Sequence, residues 1–288
     1  GVDIKTDVTN DSDTEATGVS VKSTVYNKES DVISTQTDDI TVAAGKTETI
    51  SQSVDVANPK LWSVDSPNLY WVRTEIIQNG KVVDRTDSRF GIRYIATNPN
   101  SGFYLNGVHT KLNGVCEHSD LGSLGMETYQ AAVDRRIRTL KKYGVNAIRT
   151  SHNPVSPEFI EACDRLGMLV FEEAFDQWLY SKNSDDYHNY FNKAADGKTV
   201  VFDKAGNDNT NNDTSYIEVK REDLQSNAER DIKAMVDRDK NAPCIFAWST
   251  GNEIYDARYK HGENTLDMLT GWILSLIHIS EPTRLQLI

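Results

Sequence analysis

The sequence predicts two folds in series. An immunoglobulin-like β-sandwich is expected over residues 1–96, followed by the first half, about four βα units, of a (β/α)8 TIM barrel over residues 97–274. Three observations predict this. The N-terminal part alternates apolar and polar residues with period two, the mark of half-buried strands. After Ser101-Gly102 the pattern changes to short apolar runs separated by helices of period 3.6. Each of those apolar runs ends in polar and aromatic residues, and in a (β/α)8 barrel the active site lies at the C-terminal ends of the strands.

In the first part, Val19-Ser20-Val21-Lys22-Ser23-Thr24-Val25-Tyr26 alternates most clearly. Further runs cover 39–42, 47–54, 70–77 and 81–86, with turn signals at Asn10-Asp11, Ala44-Gly45 and Asn79-Gly80. About seven short strands in this length suit a sandwich, which serves as a spacer or a binding module. No residue of this part has a catalytic look.

In the second part a strand is expected over 111–115 and a helix over 128–143, with Tyr129, Val133, Ile137 and Leu140 on its apolar face. Gly144 stands where a helix C-cap is wanted, and the next strand covers 145–148. Ser156 caps the following helix, Pro157 takes its first position, and Gly167 ends it. A third strand covers 168–171. A long helix over 216–240 puts Leu224, Ala228, Ile232 and Met235 on one face, and the fourth strand covers 244–248. Near-continuous apolar strands joined by helices indicate a parallel sheet covered by helices. The stretch 196–214, rich in Gly, Asn and Asp, reads as a loop insertion.

Composition narrows the function. The 288 residues carry 31 basic and 43 acidic side chains, a net charge of −12. Such a field repels phosphate backbones and anionic membranes, so neither is an expected partner. No apolar run approaches the roughly 18 residues of a membrane span. Cys116, Cys163 and Cys244 lack metal-ligand spacing and read as small buried hydrophobes. The chain opens inside a strand-like pattern without a signal peptide, so its N-terminus reads as a boundary and leaves the compartment undetermined.

The strand ends then gather the chemistry. They are Cys116-Glu117-His118-Ser119-Asp120, Arg149-Thr150-Ser151-His152-Asn153, Glu172 through Trp178, and Asn252-Glu253. This mixture is rich in His, Trp and carboxylates and poor in Lys, and it suits a sugar. Indole faces stack on pyranose C–H faces, while carboxylates, amides and imidazoles bind hydroxyls. Zinc is the competitor, through His118, His152, Glu117 and Glu173, but no HExxH-like spacing occurs, and no metal or cofactor is expected.

"NAIRTSHNPVSPEFIEACDRLGMLVFEEAFDQW" together with "WSTGNEI" strongly resembles glycoside hydrolase family 2, the β-galactosidase and β-glucuronidase family. "LWSVDSPNLY" and "FGIRYI" are similar to that family's immunoglobulin-like domain, and "FYLNGVHTKLNGVCEHSDLG" to its first barrel strand; together these extend over about residues 1–272. The resemblance implies Glu253 as general acid/base and Asn252 as a ligand of the sugar 2-hydroxyl. It implies Arg149 beneath the catalytic carboxylates, with His118 and His152 lining the glycone subsite. Asp176 and Trp178 would bind substrate in the variable loop after the third strand. Glu173 reads either as a site residue or as an ion-pair partner of Arg149. Retaining glycosidases use two carboxyl groups about 5–5.5 Å apart, and the family's nucleophile sits at the end of the seventh strand. The chain is therefore expected to be a fragment without the nucleophile, inactive alone.

The implied activity is that of a retaining exo-β-glycosidase of the β-galactosidase type, acting on a β-galactoside or related oligosaccharide. β-Glucuronidase and β-mannosidase remain open, as does a non-catalytic carbohydrate-binding or scaffold protein. Oligomeric state is not readable. Residues 275–288 are expected to be a non-native tail resembling an adaptor read-through, although Glu281-Pro282-Thr283-Arg284 could also pass for a native turn.

Overall fold

The structure, a computed structural model, describes residues 1–178, 227–258 and 260–277. The expected helix start at residue 216 and the 196–214 insertion lie outside the described residues.

Alternation in the N-terminal part folds as two antiparallel sheets. Strands β1 (Val2–Thr9) and β4 (Thr47–Val54) form a pair. Strands β2 (Ala16–Asn27), β3 (Val32–Val42), β5 (Tyr70–Gln78) and β6 (Lys81–Phe90) form a sheet of order β3-β2-β5-β6. Side chains from both sheets meet in two clusters, Val25, Val54, Tyr70 and Val72 in one, Val8, Val21 and Val42 in the other. That two-sheet core makes a β-sandwich. A polar latch crosses it. Gln52 of β4 accepts from Ser23 Oγ at 2.6 Å and donates to the Val21 carbonyl at 3.1 Å and to Asp38 Oδ2 at 2.8 Å. Asn79 and Gly80 have φ of 51° and 76°, the left-handed pair that a two-residue β5–β6 hairpin requires.

The strand expected over 39–42 is only the end of β3. That strand lies at a sheet edge and buries little but Val42; its first half opens with Val32 and Ile33, adjacent and both exposed, followed by Ser34, Thr35 and Gln36, so it shows no apolar alternation to read. Three short strands follow, β7 (Ile95–Asn98), β8 (Gly102–Leu105) and β9 (Val108–His109). The first compact unit runs past residue 96 to Lys111 and includes Asp164–Gly167 and Asn241–Pro243.

The second unit is built on β10 (Gly114–His118), β11 (Ala147–Ser151), β12 (Leu169–Glu173) and β13 (Ile245–Ser249), all parallel and in sequential order. Among the described residues the helices that follow these strands are α1 (Gln130–Lys142), α2 (Pro157–Leu166, whose last residues from Asp164 are counted with the first unit), α3 (Asn227–Asp239) and α4 (Lys260–Ile277). Sequential parallel strands with intervening helices are the opening of a (β/α)8 barrel. Helix ends match their signals. Ser156 Oγ accepts from the Phe159 N–H at 3.3 Å, and Gly144 and Gly167 have φ of 83° and 76°.

The parallel strands begin later than expected, most clearly β10, which starts at Gly114 rather than at residue 111. Pairing sets the start, since Gly114 is the first residue with a β11 partner, Ala147. Helix α1 begins at Gln130; Tyr129 is its extended N-cap and 53% exposed, so it is not on the buried face with Val133 and Ile137. Helix α4 continues through Ile277 and so includes residues 275–277 of the expected tail; 278–288 lie outside the described residues. Among the described residues no helix is long and apolar enough to cross a membrane.

Candidate active site

Consecutive strand residues face opposite sides, and in-register partners on neighbouring strands share a side. Cys116, Arg149, Phe171 and Ala247 are in register across β10 to β13, and Glu173 lies two residues after Phe171 on that same face, level with Ser249. Glu172 is thereby turned to the helix-covered face. Two adjacent glutamates, read together in the sequence, belong to different environments.

On the inner face Glu173 is fully buried and anchors an array. Arg149 Nε donates to its Oε2 at 2.9 Å, and Arg149 Nη2 donates to Oε1 and Oε2 at 2.9 and 2.7 Å. Ser249 Oγ donates to Oε2 at 2.6 Å, and His152 Nδ1 stands 2.6 Å from Oε1. The Glu173 N–H is taken by Thr150 Oγ1 at 2.9 Å. Of the two readings left open for Glu173, this geometry favours the ion-pair partner of Arg149. Burial opposes the Arg149 charge, but the hydrogen bonds and charge of Glu173, with a smaller part from Cys116, raise its pKa above the usual guanidinium value.

Arg149 reaches onward. Its Nη2 donates to Asn252 Oδ1 at 2.9 Å, and Asn252 Nδ2 donates to Asp176 Oδ1 at 2.9 Å. Both ends of the Asn252 amide are thus engaged, which fixes its orientation. Glu253 follows, exposed, with φ of 46°, a left-handed backbone that costs a non-glycine residue about 1 kcal/mol. Gly251 is required by close approach: a Cβ there would strike Ile254 and come within 2.8 Å of Trp178 Nε1. His118 is exposed at the end of β10, its ring edge-on to His152 with centroids 5.4 Å apart.

Arg149, His152, Asn252 and Asp176 are therefore joined by hydrogen bonds, with His118 and Glu253 beside them. Trp178 differs from its expected role. It is 4% exposed, packed with Ala174, Phe175, Ile232 and Leu269, and its indole N–H donates to the Thr250 carbonyl at 2.7 Å. The indole is a staple beneath the Thr250-Gly251 turn rather than an open stacking face. Asp176 is oriented onto Asn252, so its clearest contact is with a site residue. Cys116 is exposed rather than buried, since the register with Arg149 places it on the inner face; Cys163 and Cys244 are buried as expected.

Ser249 was missed by the sequence reading, although its place two residues after Ala247 was the signal. Arg136 of α1 was missed too. It pairs with Glu117 at 2.8 Å and donates to the backbone carbonyls of His118 and Asp120, holding the segment that carries His118. Burial raises the Glu117 pKa, against the pull of Arg136. Among the described residues no group of three or more His, Cys, Asp or Glu is arranged to hold a metal.

The comparisons with known proteins agree on one family. Residues 97–276 match the model described as "Glycosyl hydrolases family 2, TIM barrel domain", and residues 1–93 match "Glycosyl hydrolases family 2". Beta-galactosidase BoGH2A of Bacteroides ovatus is 34% identical over 281 residues, covering 97% of this chain and 29% of the relative. A putative beta-glucuronidase of Formosa agariphila is 37% identical over 205 residues, covering 71% of this chain and 17% of the relative. A crystal structure of a glycosyl hydrolase family 2 member from Bacteroides cellulosilyticus superposes with a TM-score of 0.76 at 31% identity, over 95% of this chain and 32% of that one. The chain thus spans about a third or less of the length of the relatives it matches.

Proposed function

The chain belongs to glycoside hydrolase family 2, and we propose that it carries the acid/base side of a retaining exo-β-glycosidase site of the β-galactosidase type. The observation that carries this reading is the array Ser249–Glu173–Arg149–Asn252–Asp176 ending beside the exposed Glu253. Asn252 is held by its neighbours on both sides, so it meets a sugar hydroxyl without loss of rotamer freedom. Glu253, held out by its left-handed backbone, gives its proton to the glycosidic oxygen as the bond to the anomeric carbon breaks. A second carboxylate attacks that carbon from the other face and forms a covalent glycosyl-enzyme. Glu253, now a carboxylate, takes a proton from water as the water displaces that second carboxylate.

The second carboxylate is not offered by the array. Glu173 is committed to Arg149, His152 and Ser249, and Asp176 to Asn252. Turnover accordingly belongs to a polypeptide that joins these residues to a further strand end bearing the nucleophile. The glycone is read as neutral. Among the described residues of the array one cation, Arg149, stands with three carboxyl groups, Glu173, Asp176 and Glu253, a balance that disfavours a uronate. The relative named a beta-galactosidase, which covers 97% of this chain, supports the same choice, against the relative named a putative beta-glucuronidase, which covers 71%.

The test compares nitrophenyl β-galactoside with nitrophenyl β-glucuronide. The 288 residues alone are expected to turn over neither. The polypeptide extended to the length of its relatives is expected to prefer the galactoside by more than tenfold in kcat/KM. A preference for the glucuronide removes the galactosidase reading and leaves the family standing. Glycosidase turnover by the 288 residues, abolished by Glu253→Gln, removes the claim that the nucleophile lies elsewhere.

A further inference from the structure

We propose that Glu173 is a positioning residue that locks His152 as the Nδ1–H tautomer, so that His152 Nε2 meets the bound sugar as a hydrogen-bond acceptor. The inference rests on the reading above that this array faces a glycoside, and it adds the polarity of one ligand and the residue that sets it. It starts from the count of hydrogens around Glu173. Arg149 supplies donors to both carboxylate oxygens, at 2.7 to 2.9 Å, and Ser249 Oγ donates to Oε2 at 2.6 Å. A carboxylate paired in this way with a guanidinium is ionised and has only lone pairs to offer. The 2.6 Å contact between Oε1 and His152 Nδ1 therefore needs its hydrogen on the imidazole.

The remaining neighbour pulls the other way and more weakly. Arg149 Nη2, which can only donate, lies 3.4 Å from His152 Nδ1, a long contact beside the 2.6 Å one to Glu173 Oε1. In a neutral imidazole one nitrogen donates and the other accepts, and the partner of the first decides the role of the second. With Nδ1–H pointed at Glu173, Nε2 keeps its lone pair. The ring is part exposed, with 23% of its side-chain surface accessible, while Glu173 is wholly buried beneath it. Free histidine prefers the opposite tautomer, with the proton on Nε2, so the buried carboxylate is needed to hold this one.

The consequence is a complementary pair of ligands. Asn252 gives one Nδ2 hydrogen to Asp176 and retains a second, a donor. His152 Nε2 is an acceptor. Two neighbouring hydroxyls of a neutral sugar fit such a pair, one accepting from the amide and one donating to the imidazole. A carboxylate in place of the second hydroxyl would bring lone pair against lone pair.

The tautomer can be read without turnover, on the 288-residue chain labelled with 15N-histidine. Long-range proton–nitrogen NMR, taken through a pH titration into the range where the ring is neutral, reports which nitrogen bears the proton. A His152→Gln variant identifies the signals. The expected result is a protonated, pyrrole-like Nδ1 and a bare, pyridine-like Nε2, with a reversal toward the Nε2–H form in Glu173→Leu. An Nε2–H or evenly mixed ring in the unmodified chain overturns the proposal, as does an unchanged Nδ1–H ring in a folded Glu173→Leu chain. Should that variant fail to fold, the Nδ1 proton of the unmodified chain decides. A far-downfield, slowly exchanging proton there supports the lock, and its absence overturns it. Because no step needs catalysis, a wrong tautomer leaves the glycosidase reading intact, and an inactive extended enzyme with the expected tautomer removes only that reading.

Discussion

Glu172, one residue before the anchor of the site, shows how strongly a strand face decides chemistry. It is fully buried on the helix-covered side, where Arg238 Nη2 donates to its Oε1 at 3.2 Å and to the Val155 carbonyl at 2.8 Å, and Arg238 also pairs with Asp239. Burial first, and then the Asp239 carboxylate, push its pKa up to about 9 against the pull of Arg238, whose charge Glu158 also feels. Its unfolded value is near 4.5. A folded pKa above the unfolded one gives stability that is complete below pH ~4.5 and is lost as pH rises toward about 9, by up to about 1.4 kcal/mol per pH unit for one proton. Glu172→Gln is therefore expected to flatten the pH dependence of urea unfolding between pH 5 and 8.5 and to raise stability at the alkaline end. Parallel curves for the two proteins would show that Glu172 folds ionised. Residues whose role is set by such facing were the least legible in the sequence. Trp178 reads as a substrate-binding residue and Cys116 as a small buried hydrophobe, because a sequence shows what a side chain can do and not which face it meets.

At the scale of elements, helix ends were legible and strand starts were not. Ser156-Pro157, Gly144 and Gly167 act through local backbone geometry, which the sequence carries directly. Strands β10 and β11 begin where pairing begins, at Gly114 and Ala147, a property of two segments distant in sequence. The same limit hid the first half of β3 and the polar latch of the sandwich. Gln52 and Ser23 have the look of outward-facing strand residues, yet both are buried and bonded to each other across the two sheets. Replacing Gln52 by Leu leaves the buried Ser23 Oγ without its partner and removes a donor from the Val21 carbonyl and from Asp38. The expected loss is about 1–3 kcal/mol, read as a lower urea midpoint at unchanged slope. An equal or higher midpoint would mean that apolar packing serves this position as well as the network does.

For the whole molecule, the order of the elements already implies the location of chemistry. Four parallel strands in sequential order bring their C-terminal residues to one end, and that end holds Arg149, His152, Asn252, Asp176 and Glu253 although they are spread over more than a hundred positions. Recognition of the motifs named the candidates; only the structure separated those that share the array from Trp178, which supports it from below. The central claim is that Glu253 is the acid/base of a retaining glycosidase, and one measurement tests it most directly. Glu253→Ala is made in the polypeptide extended to the length of its relatives, and hydrolysis of a poor leaving group is compared with that of an activated aryl β-galactoside, with and without azide. Departure of an activated aryl group needs little proton assistance. The account predicts that the variant loses at least ~100-fold on the poor leaving group, a typical contribution of general acid–base catalysis. It predicts a much smaller loss on the activated one, with azide restoring turnover and leaving a β-glycosyl azide from the covalent intermediate. Equal losses on both substrates, with no azide product, would contradict it.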